Sequence, residues 1–202
     1  MAEIKLPKMM KALVWNKIKD YKDVMDNVSF TDIPTPEIID ETDVIVQTTT
    51  LTICGTDLGI MHNKQMYMEK GIVLGHEGVG VIVKVGKNVK NRKVGDRVII
   101  SCIAPCNKCR TCKRGIQSHC ENSKNQIGWI FGHLINGTHS EFVRVPFGDE
   151  TCIPVPKGIT EKQAVMTSDI LPTTYEIGVL PGNIQKDYNV LIVGAGPIGI
   201  SG

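Results

Sequence analysis

The stretch GHEGVGVIVKVG, residues 75–86, decides how the rest of the sequence can be interpreted. Its second half is a run of valine and isoleucine, which favours a β-strand. Its first half surrounds His76 with glycines, and we expect Gly75 and Gly78 to allow backbone packing so close that a β-carbon would collide. A strand therefore begins beside an imidazole, although a single histidine is more often a hydrogen-bonded structural residue than a metal ligand.

Similar β-like runs lie on both sides of this stretch. ALVW at 12–15, DVIVQTTTLTI at 43–53 and VGDRVIIS at 94–101 are rich in valine, isoleucine and threonine. Because turn residues separate them, the pattern predicts a mainly β domain, either a barrel or a sandwich. The acidic, proline-punctuated segment 32–43 predicts a loop.

Helical signals come later in the chain. Residues 159–178 carry apolar side chains near helical spacing, with Thr160 placed to cap the N-terminus, so we predict a helix that is interrupted near Pro172. After it, the apolar run at 189–193 predicts a buried strand, and GAGPIG predicts a turn into another helix.

The composition excludes several classes of protein. At 42% hydrophobic residues the 202-residue chain can bury a core, and its formal charge of +2 leaves no basic excess for binding nucleic acid. Lysines interrupt the N-terminus where a signal peptide needs an apolar core, and no stretch is apolar enough to cross a membrane. The sequence therefore predicts a cytoplasmic protein whose seven cysteines are reduced.

Residues 104–126 are polar and contain four closely spaced cysteines. The spacing C-x2-C-x2-C-x7-C is formed by Cys106, Cys109, Cys112 and Cys120. Four thiolates on a short excursion favour a structural zinc site with no place for substrate, whereas two disulfides or free surface thiols fit less well. An iron-sulfur cluster remains open from spacing alone. Cys102 and Cys152 lie outside the spacing and are interpreted as small buried hydrophobic residues.

Three further residues suggest a second metal site. Cys54 lies in CGTD, His76 in GHEG and Asp169 in AVMTSD. Each is a weak signal alone, because isolated cysteine, histidine and aspartate residues usually have structural or solvent-exposed roles. Together they supply a thiolate, an imidazole and a carboxylate, a set that can bind zinc and leave one position for water or substrate.

The order of these motifs resembles the zinc-containing medium-chain alcohol dehydrogenases across nearly all of the chain. CGTD, GHEGVG, VGDRV, the four cysteines and a G-x-G-x-x-G turn follow one another as in that family. The resemblance implies a GroES-like, partly open β-barrel catalytic domain over residues 1–187, including the structural zinc lobe at about 104–126. It also implies that residues 188–202 are the first strand and turn of a Rossmann dinucleotide-binding domain.

The resemblance also assigns the catalytic zinc ligands. It implies that Cys54, His76 and Asp169 bind this zinc, and that Glu77 can enter the coordination sphere when substrate is absent. Asp57 matches the carboxylate that orients the zinc-bound imidazole.

Further roles follow from the same resemblance for residues around substrate and cofactor. Thr56 matches the hydroxyl of a proton relay, Trp129 a pocket tryptophan and Thr173 a threonine near the nicotinamide. The glycine-rich turn matches a cofactor-binding turn through Gly194, Gly196 and Gly199.

Two departures from the family pattern stand out. Many members finish the proton relay with a histidine five residues after the first zinc cysteine, where this chain has Gly59. Either His62 or water would then replace it. Secondary-alcohol members with an aspartate ligand often lack the four structural cysteines, and this chain has both features, which leaves the substrate class open.

The implied function is hydride transfer from a small primary or secondary alcohol to NAD or NADP through a zinc-bound alkoxide, with two zinc ions per chain. A polyol or threonine dehydrogenase is the neighbouring alternative. A non-catalytic zinc-binding module, in which Cys54, His76 and Asp169 never meet, is a different class, and a zinc-free reductase is disfavoured by the cysteines.

The position of the glycine-rich turn carries a further expectation. We expect the chain to be the catalytic half of a two-domain dehydrogenase that stops just inside its cofactor half, and to be inactive as a 202-residue fragment. The residue that selects NAD or NADP lies about 20 residues beyond such a turn. The full-length enzyme is expected to be a homo-oligomer.

Overall fold

A computed structural model of the chain describes residues 5–64 and 68–202. Residues 1–4 and 65–67 of the predicted domain 1–187 therefore lie outside the described part. Seven strands occur in the described residues: β1 Met9–Trp15, β2 Val28–Pro34, β3 Val44–Leu51, β4 Gly78–Val85, β5 Arg97–Ile100, β6 Phe142–Val145 and β7 Cys152–Pro154. The mainly β architecture predicted for the first hundred residues is confirmed.

The strands form two antiparallel sheets. A five-stranded sheet has the order β6-β3-β4-β5-β7, and β1 pairs with β2 in a separate two-stranded sheet. Single bridges join β1 to the rest of the domain, from Ala12 to Ser140 and from Val14 to Val73. Met10 of β1 also packs against Ile45, Val83 and Phe142 of the five-stranded sheet, so the two sheets share a core cluster, as expected for a partly open barrel.

Strand β2 was not predicted. Its last three residues fall in the segment 32–43, which the prolines and acidic residues predicted to be a loop. The prediction is wrong for 32–34 because every residue of β2 pairs with β1, from Val28 opposite Trp15 to Pro34 opposite Met9. Pro34 ends the strand at an edge, where its missing N–H costs no ladder hydrogen bond.

The main core lies under the five-stranded sheet. It is built from aliphatic side chains that point inward from β3, β4, β5 and β6, with Phe131 filling the centre. A second core around Trp15, Ile60 and Leu74 packs beneath the first helix. The residues that precede and follow His76 are thus anchored in two cores.

The helices are short. They are α1 Gly55–Met61, α2 Arg110–Lys113, α3 Gly148–Thr151, α4 Glu161–Val165, α5 Ile170–Thr173, α6 Leu180–Gly182 and α7 Pro197–Ser201. There are 3-10 helices at Val24–Asn27, Gln117–His119 and Lys124–Gln126, and a π-helix at Thr174–Val179. Within residues 5–64 and 68–202, no helix has the length and hydrophobicity needed to cross a membrane.

The predicted helix over 159–178 exists, but its interruption lies elsewhere. Thr160 caps α4 as predicted, since its hydroxyl accepts the N–H of Gln163. The break falls in the turn at 166–169, and Pro172 lies inside α5 instead of ending it. A proline in the first turn of a helix removes an N–H that has no partner there, so it does not break the helix.

The polar excursion at 104–126 has almost no apolar interior. Three of its six buried residues are Cys106, Cys112 and Cys120, and Phe147, which lies outside the excursion, packs against the cysteines. The base of the excursion is closed by a bridge from Ile103 to Trp129 and by the Ala104 N–H, which donates to the Gly128 carbonyl at 2.9 Å.

The structure corrects the strand predicted at 189–193. These residues have no regular secondary structure, and Leu191 and Val193 are 87% and 91% exposed. A parallel strand requires neighbours on at least one edge, and no strand in the described residues pairs with this segment. The turn after it does form, with α7 beginning at Pro197. A hydrogen bond from the hydroxyl of Thr174, the first residue of the π-helix, to the Ile198 carbonyl ties α7 to the helical segment that follows α5.

Candidate metal centres

Four side chains from three separate parts of the chain converge at one end of the barrel. They are Cys54, His76, Glu77 and Asp169, called here the mixed cluster, and their donor atoms all lie within 4.8 Å of one another. The convergence predicted for Cys54, His76 and Asp169 is therefore present in the structure. The alternative in which these three residues never meet does not describe this fold.

Asp57 connects the two segments that carry the first two of these residues. It lies in the first turn of α1 and is 1% exposed. One carboxylate oxygen accepts the Cys54 N–H at 2.9 Å and the other accepts the Gly75 N–H at 3.0 Å. Its distance of 3.8 Å from His76 Nδ1 exceeds a hydrogen bond. In this structure the Asp57 carboxylate thus fixes the backbone at Cys54 and at Gly75. The role of orienting the His76 imidazole, which the resemblance implies, would require Asp57 to lie closer to His76 Nδ1.

His76 is held by a backbone conformation that requires glycine beside it. Gly75 has a φ of +93°, and a β-carbon there would lie 2.4 Å from the ring of His139. The collision expected at Gly75 is therefore confirmed, while a β-carbon at Gly78 would meet Thr138 less severely, at 3.1 Å. His139 donates its Nε2–H to the Thr52 carbonyl at 2.9 Å, which ties the same region to the segment before Cys54.

Glu77 is buried beside His76 and has one oxygen without a partner. The Thr52 hydroxyl donates to Glu77 Oε2, while Oε1 has no hydrogen bond although it is buried. A carboxylate oxygen in this state costs free energy unless something binds it. Glu77 is thus placed to complete the cluster, as the resemblance implies.

Asp169 reaches the cluster from the turn before α5. The turn is pinned to the end of β5, because the Cys102 N–H donates to the Ser168 carbonyl at 3.1 Å. Asp169 Oδ2 then lies 3.3 Å from His76 Nε2, and the Thr173 hydroxyl donates to Oδ1 at 2.5 Å.

The charges of this cluster depend on one another. Burial lowers the pKa of His76, but hydrogen bonds with Asp169 and Cys54 and the charge of Asp57 outweigh it and raise that pKa to about 10. Burial raises the pKa of Asp169, but its hydrogen bonds with His76 and Thr173 outweigh this and lower it below the usual value. Without a metal, a proton on His76 therefore offsets part of the negative charge of the neighbouring carboxylates.

The geometry of the mixed cluster fits zinc. Two nitrogen or oxygen ligands of one tetrahedral zinc are about 3.4 Å apart when each bond is about 2.1 Å long. The distance of 3.3 Å from His76 Nε2 to Asp169 Oδ2 agrees with this value. A sulfur, a nitrogen and carboxylate oxygens form a donor set typical of zinc, and the unpartnered Glu77 Oε1 is a further available donor.

A cavity of about 580 Å³ opens beside the mixed cluster. Its wall includes His76 and Asp169 together with Thr56, Trp129 and Thr173, three residues predicted to surround substrate or cofactor. Trp129 stacks on His133 at a centroid distance of 4.1 Å and meets the His76 ring edge-on at 5.8 Å. These residues thus give the part of the cavity wall beside the cluster both polar and aromatic side chains.

Cys102 was interpreted only as a small buried residue, and it is also part of this site. It is 9% exposed, lines the cavity and lies beside Asp169. Burial, together with the charges of Asp169 and Glu77, raises the pKa of its thiol well above the usual value. Nothing in the spacing of the cysteines distinguishes Cys102, because its contact with Asp169 joins distant parts of the chain. Cys152 is fully buried in the main core, as predicted.

His62 is not positioned as a partner of Thr56. Its Nδ1 lies 3.2 Å from the Tyr21 hydroxyl, at the far end of α1, and it does not line the cavity. Thr56 itself lies 3.7 Å from Cys54 Sγ. Gly59 stands where many family members have the relay histidine, and either His62 or water could replace that histidine. The placement of His62 favours water.

The second group, called here the cysteine cluster, consists of Cys106, Cys109, Cys112 and Cys120, whose sulfur atoms lie within 4.8 Å of one another. Backbone N–H groups point at the sulfurs: those of Lys108 and Cys109 donate to Cys106, and that of Cys106 donates to Cys120. Such bonds stabilise thiolates, and they fit four sulfur ligands around one zinc ion.

The thiols of the cysteine cluster ionise unequally without a metal. A hydrogen bond with Thr111 lowers the pKa of Cys109 to about 5, whereas burial raises the pKa of Cys112 to about 12. A metal that binds all four sulfurs must therefore displace protons, so binding becomes tighter as the pH rises.

The glycine-rich turn has the backbone geometry that its glycines permit. Gly194 has a φ of +105°, and Gly196 precedes the first residue of α7. A β-carbon at Gly199 would lie 1.9 Å from the Gly194 carbonyl oxygen. The turn therefore packs tightly within itself, as a turn that leads closely into a helix requires.

Fold and site together define a β-rich domain with two potential metal centres, one made of sulfur alone and one of mixed donors beside a cavity. The family model of the alcohol dehydrogenase GroES-like domain matches residues 40–157. The chain belongs to the zinc-containing medium-chain alcohol dehydrogenase family, and its predicted GroES-like fold is confirmed.

Individual relatives agree with this assignment. The chain is 35% identical over 207 residues to a zinc-type alcohol dehydrogenase-like protein of Schizosaccharomyces pombe, covering 95% of this chain and 47% of the relative. It is 35% identical over 185 residues to an alcohol dehydrogenase of Cupriavidus necator, covering 86% and 50%. The structure of zinc dependent alcohol dehydrogenase 2 from Streptococcus pneumonia superposes with a TM-score of 0.84 at 41% identity, covering 95% and 51%. The chain thus spans about half the length of the relatives it matches.

Proposed function

We propose that this chain carries the metal site and alcohol-binding wall of a zinc-dependent alcohol dehydrogenase. The observation that carries the proposal is the convergence of the mixed cluster beside a cavity that also contains Thr56 and Trp129. The reaction is hydride transfer between a small primary or secondary alcohol and NAD or NADP. Zinc, when bound, supplies Lewis-acid polarisation of the substrate oxygen.

The residues of the chain perform the remaining work. Cys54, His76 and Asp169 hold the metal, and buried Glu77 supplies an additional oxygen. The Thr56 hydroxyl takes the proton that leaves the alcohol and passes it to water, since His62 lies away from the cavity. Trp129, held flat against His133, forms an apolar wall for the carbon skeleton of the substrate.

The cofactor contributes the hydride acceptor. A bound nicotinamide would supply the acceptor for the hydride of the alcohol carbon, so that, with the hydroxyl proton taken by Thr56, the alcohol would become an aldehyde or ketone. Gly194, Gly196 and Gly199 would face the cofactor pyrophosphate. In the described residues this turn has no paired parallel strand beside it, so we expect the 202-residue polypeptide to bind zinc without turning over alcohol.

Metal counting tests the proposal directly. The purified chain should contain two zinc ions, and Cys54→Ser should retain one while Cys152→Ala, which changes a buried cysteine outside both clusters, should retain two. A single tightly bound zinc that is unaffected by Cys54→Ser would instead support a non-catalytic zinc-binding module.

An activity assay tests the expectation for the isolated chain. Alcohol oxidation is measured with NAD and with NADP on the zinc-loaded 202-residue polypeptide. We expect no turnover with either cofactor, and robust cofactor-dependent oxidation would overturn this part of the proposal. A homo-oligomer and a cytoplasmic location remain predictions.

A further inference from the structure

The two oxygen atoms of Asp169 have different neighbours. Oδ2 faces His76 Nε2 at 3.3 Å and belongs to the mixed cluster, whereas Oδ1 accepts a hydrogen bond from the Thr173 hydroxyl at 2.5 Å. One oxygen of the carboxylate therefore faces the other donors of the mixed cluster, and the other oxygen accepts a hydrogen bond from Thr173.

Helix geometry creates this division. Asp169 is the residue that precedes α5, and the Thr173 N–H donates to the Asp169 carbonyl at 2.8 Å. Residues four apart lie on the same face of a helical turn, so the threonine hydroxyl comes to rest over the aspartate side chain.

Asp169 also forgoes the usual role of an aspartate at this position. An aspartate before a helix normally caps it by accepting a backbone N–H from the first turn. The Asp169 side chain makes no such hydrogen bond, and its backbone conformation, with φ −145° and ψ −61°, is not the extended one typical of a capping residue. No N–H is available for such a cap, because the Leu171 N–H donates to the Met166 carbonyl at 3.1 Å and Pro172 has none. The orientation of the carboxylate therefore depends on partners other than the backbone of α5.

We propose that Thr173 is the positioning residue that holds the Asp169 carboxylate in its metal-binding orientation. By donating to Oδ1, its hydroxyl keeps Oδ2 turned toward His76, where Asp169 would offer that oxygen to a metal. This role deepens the proposed function and rests on it. The family resemblance associates Thr173 with the nicotinamide, whereas this proposal gives its hydroxyl the role of orienting the metal ligand Asp169.

Three substitutions isolate the hydroxyl. Thr173→Val removes it with almost no change in shape, and Thr173→Ser preserves it. Thr167→Val is the matched control, because Thr167 lines the same cavity but its hydroxyl donates to the Ala164 carbonyl at 2.7 Å.

The probe is cobalt(II) alone, added to protein whose cysteine cluster retains zinc. Its visible spectrum reports the ligands and geometry of the mixed cluster. Cys54→Ser supplies the background from any cobalt bound elsewhere.

We expect Thr173→Val to weaken cobalt binding about 10–100-fold, the usual cost of removing a partner that orients a metal ligand, and to change the spectrum. Thr173→Ser and Thr167→Val should keep the affinity and spectrum of the unsubstituted chain. Rescue by serine keeps the test decisive even if valine also lowers the overall stability.

Two results would overturn the proposal. If the unsubstituted chain binds cobalt at the mixed cluster and Thr173→Val binds it equally well with the same spectrum, Thr173 does not position Asp169, while the proposed function stands. If the unsubstituted chain binds no more cobalt than the Cys54→Ser variant, cobalt does not bind at the mixed cluster. In that case the proposed function and this inference are both wrong.

Discussion

The cysteine cluster and the mixed cluster each bring together four donor side chains, and they depend on the rest of the chain in opposite ways. The cysteine cluster draws its donors from one polar excursion, between Cys106 and Cys120, and three of these donors make up half of the residues buried in that excursion. The mixed cluster draws its donors from positions as far apart as Cys54 and Asp169, and two packed cores support the segments around His76.

The two sites differ in the interactions that hold their donor side chains in place. A polar segment with so little apolar interior gains too little from burial to offset the entropy of ordering its backbone. Its order must come from the ligand bonds. The mixed cluster is already assembled by sheets, cores and hydrogen bonds such as those of Asp57, so that a metal would find its donors in place.

Metal removal should produce the largest contrast between the two regions. Binding of a structural zinc contributes on the order of 10 kcal/mol to the folding of small zinc domains, so a strong chelator should leave the excursion at 104–126 without ordered structure. Hydrogen exchange should show amides of the excursion losing protection while those of Gly78–Val85 keep it. Cys120→Ser should give the same pattern without chelator. Persistent protection of the metal-free excursion would contradict this account.

Gly75→Ala should disturb the packed region and spare the excursion. A side chain at positive φ costs about 1–2 kcal/mol, and the clash with His139 adds about 1–3 kcal/mol. Gly95→Ala is the matched control, because Gly95 has the same φ of +93° with nothing within 4 Å of a β-carbon. Urea unfolding should show a clearly larger loss for Gly75→Ala, together with loss of metal from the mixed cluster only. Equal losses for the two variants would mean that the clash is relieved elsewhere.

The stability of the metal-free chain should fall as the pH rises from about 6.5 to about 10. The pKa of His76 is raised from 6.5 to about 10, so the folded state binds a proton more tightly than the unfolded state. That stabilisation is complete below pH 6.5 and is lost as the pH approaches 10, with a slope of at most about 1.4 kcal/mol per pH unit.

The control for this pH dependence is His76→Asn, which has no proton to bind. Thermal or urea unfolding across the same range should show a smaller slope for this variant, since only the thiols still contribute. Zinc should also flatten the slope of the unsubstituted chain, because the metal replaces the proton. Identical slopes for the two metal-free proteins would contradict the raised pKa.

Thr160→Ala should have the smallest effect. Loss of the cap of α4 lowers the free energy of unfolding by about 1 kcal/mol. No residue of α4 is a donor in either cluster. Urea unfolding should detect this loss, while both metals remain bound. Thr160→Ser keeps a capping hydroxyl and should unfold like the original. Loss of metal from Thr160→Ala would show that the position of Asp169 depends on α4 more than the structure indicates.

Parts of the fold and site could be predicted from local signals. The strands β3, β4 and β5 coincide with apolar runs, and Thr160 precedes α4 in a recognisable capping pattern. The close spacing of the four cysteines predicts that they form one cluster. Strand β2 could not be recognised, because its identity as a strand depends on pairing with β1 and its last residues look like a loop. The strand signal at 189–193 was strong, yet no partner strand pairs with it in the described residues.

The sequence by itself determined the cysteine cluster, since a site whose ligands are close along the chain needs only the short excursion that contains them. It also supplied Cys54, His76 and Asp169 as separate candidates, which family resemblance joined into one site. Only the tertiary structure decided that Thr173 donates to Asp169, that Thr52 donates to Glu77 and that Cys102 lines the cavity. Two of these contacts join distant segments. The pairing of Leu51 in β3 with Gly78 in β4 brings Thr52 to Glu77, and the turn before α5 lies against the end of β5, which places Cys102 beside Asp169. Such arrangements are fixed by packing of the whole domain.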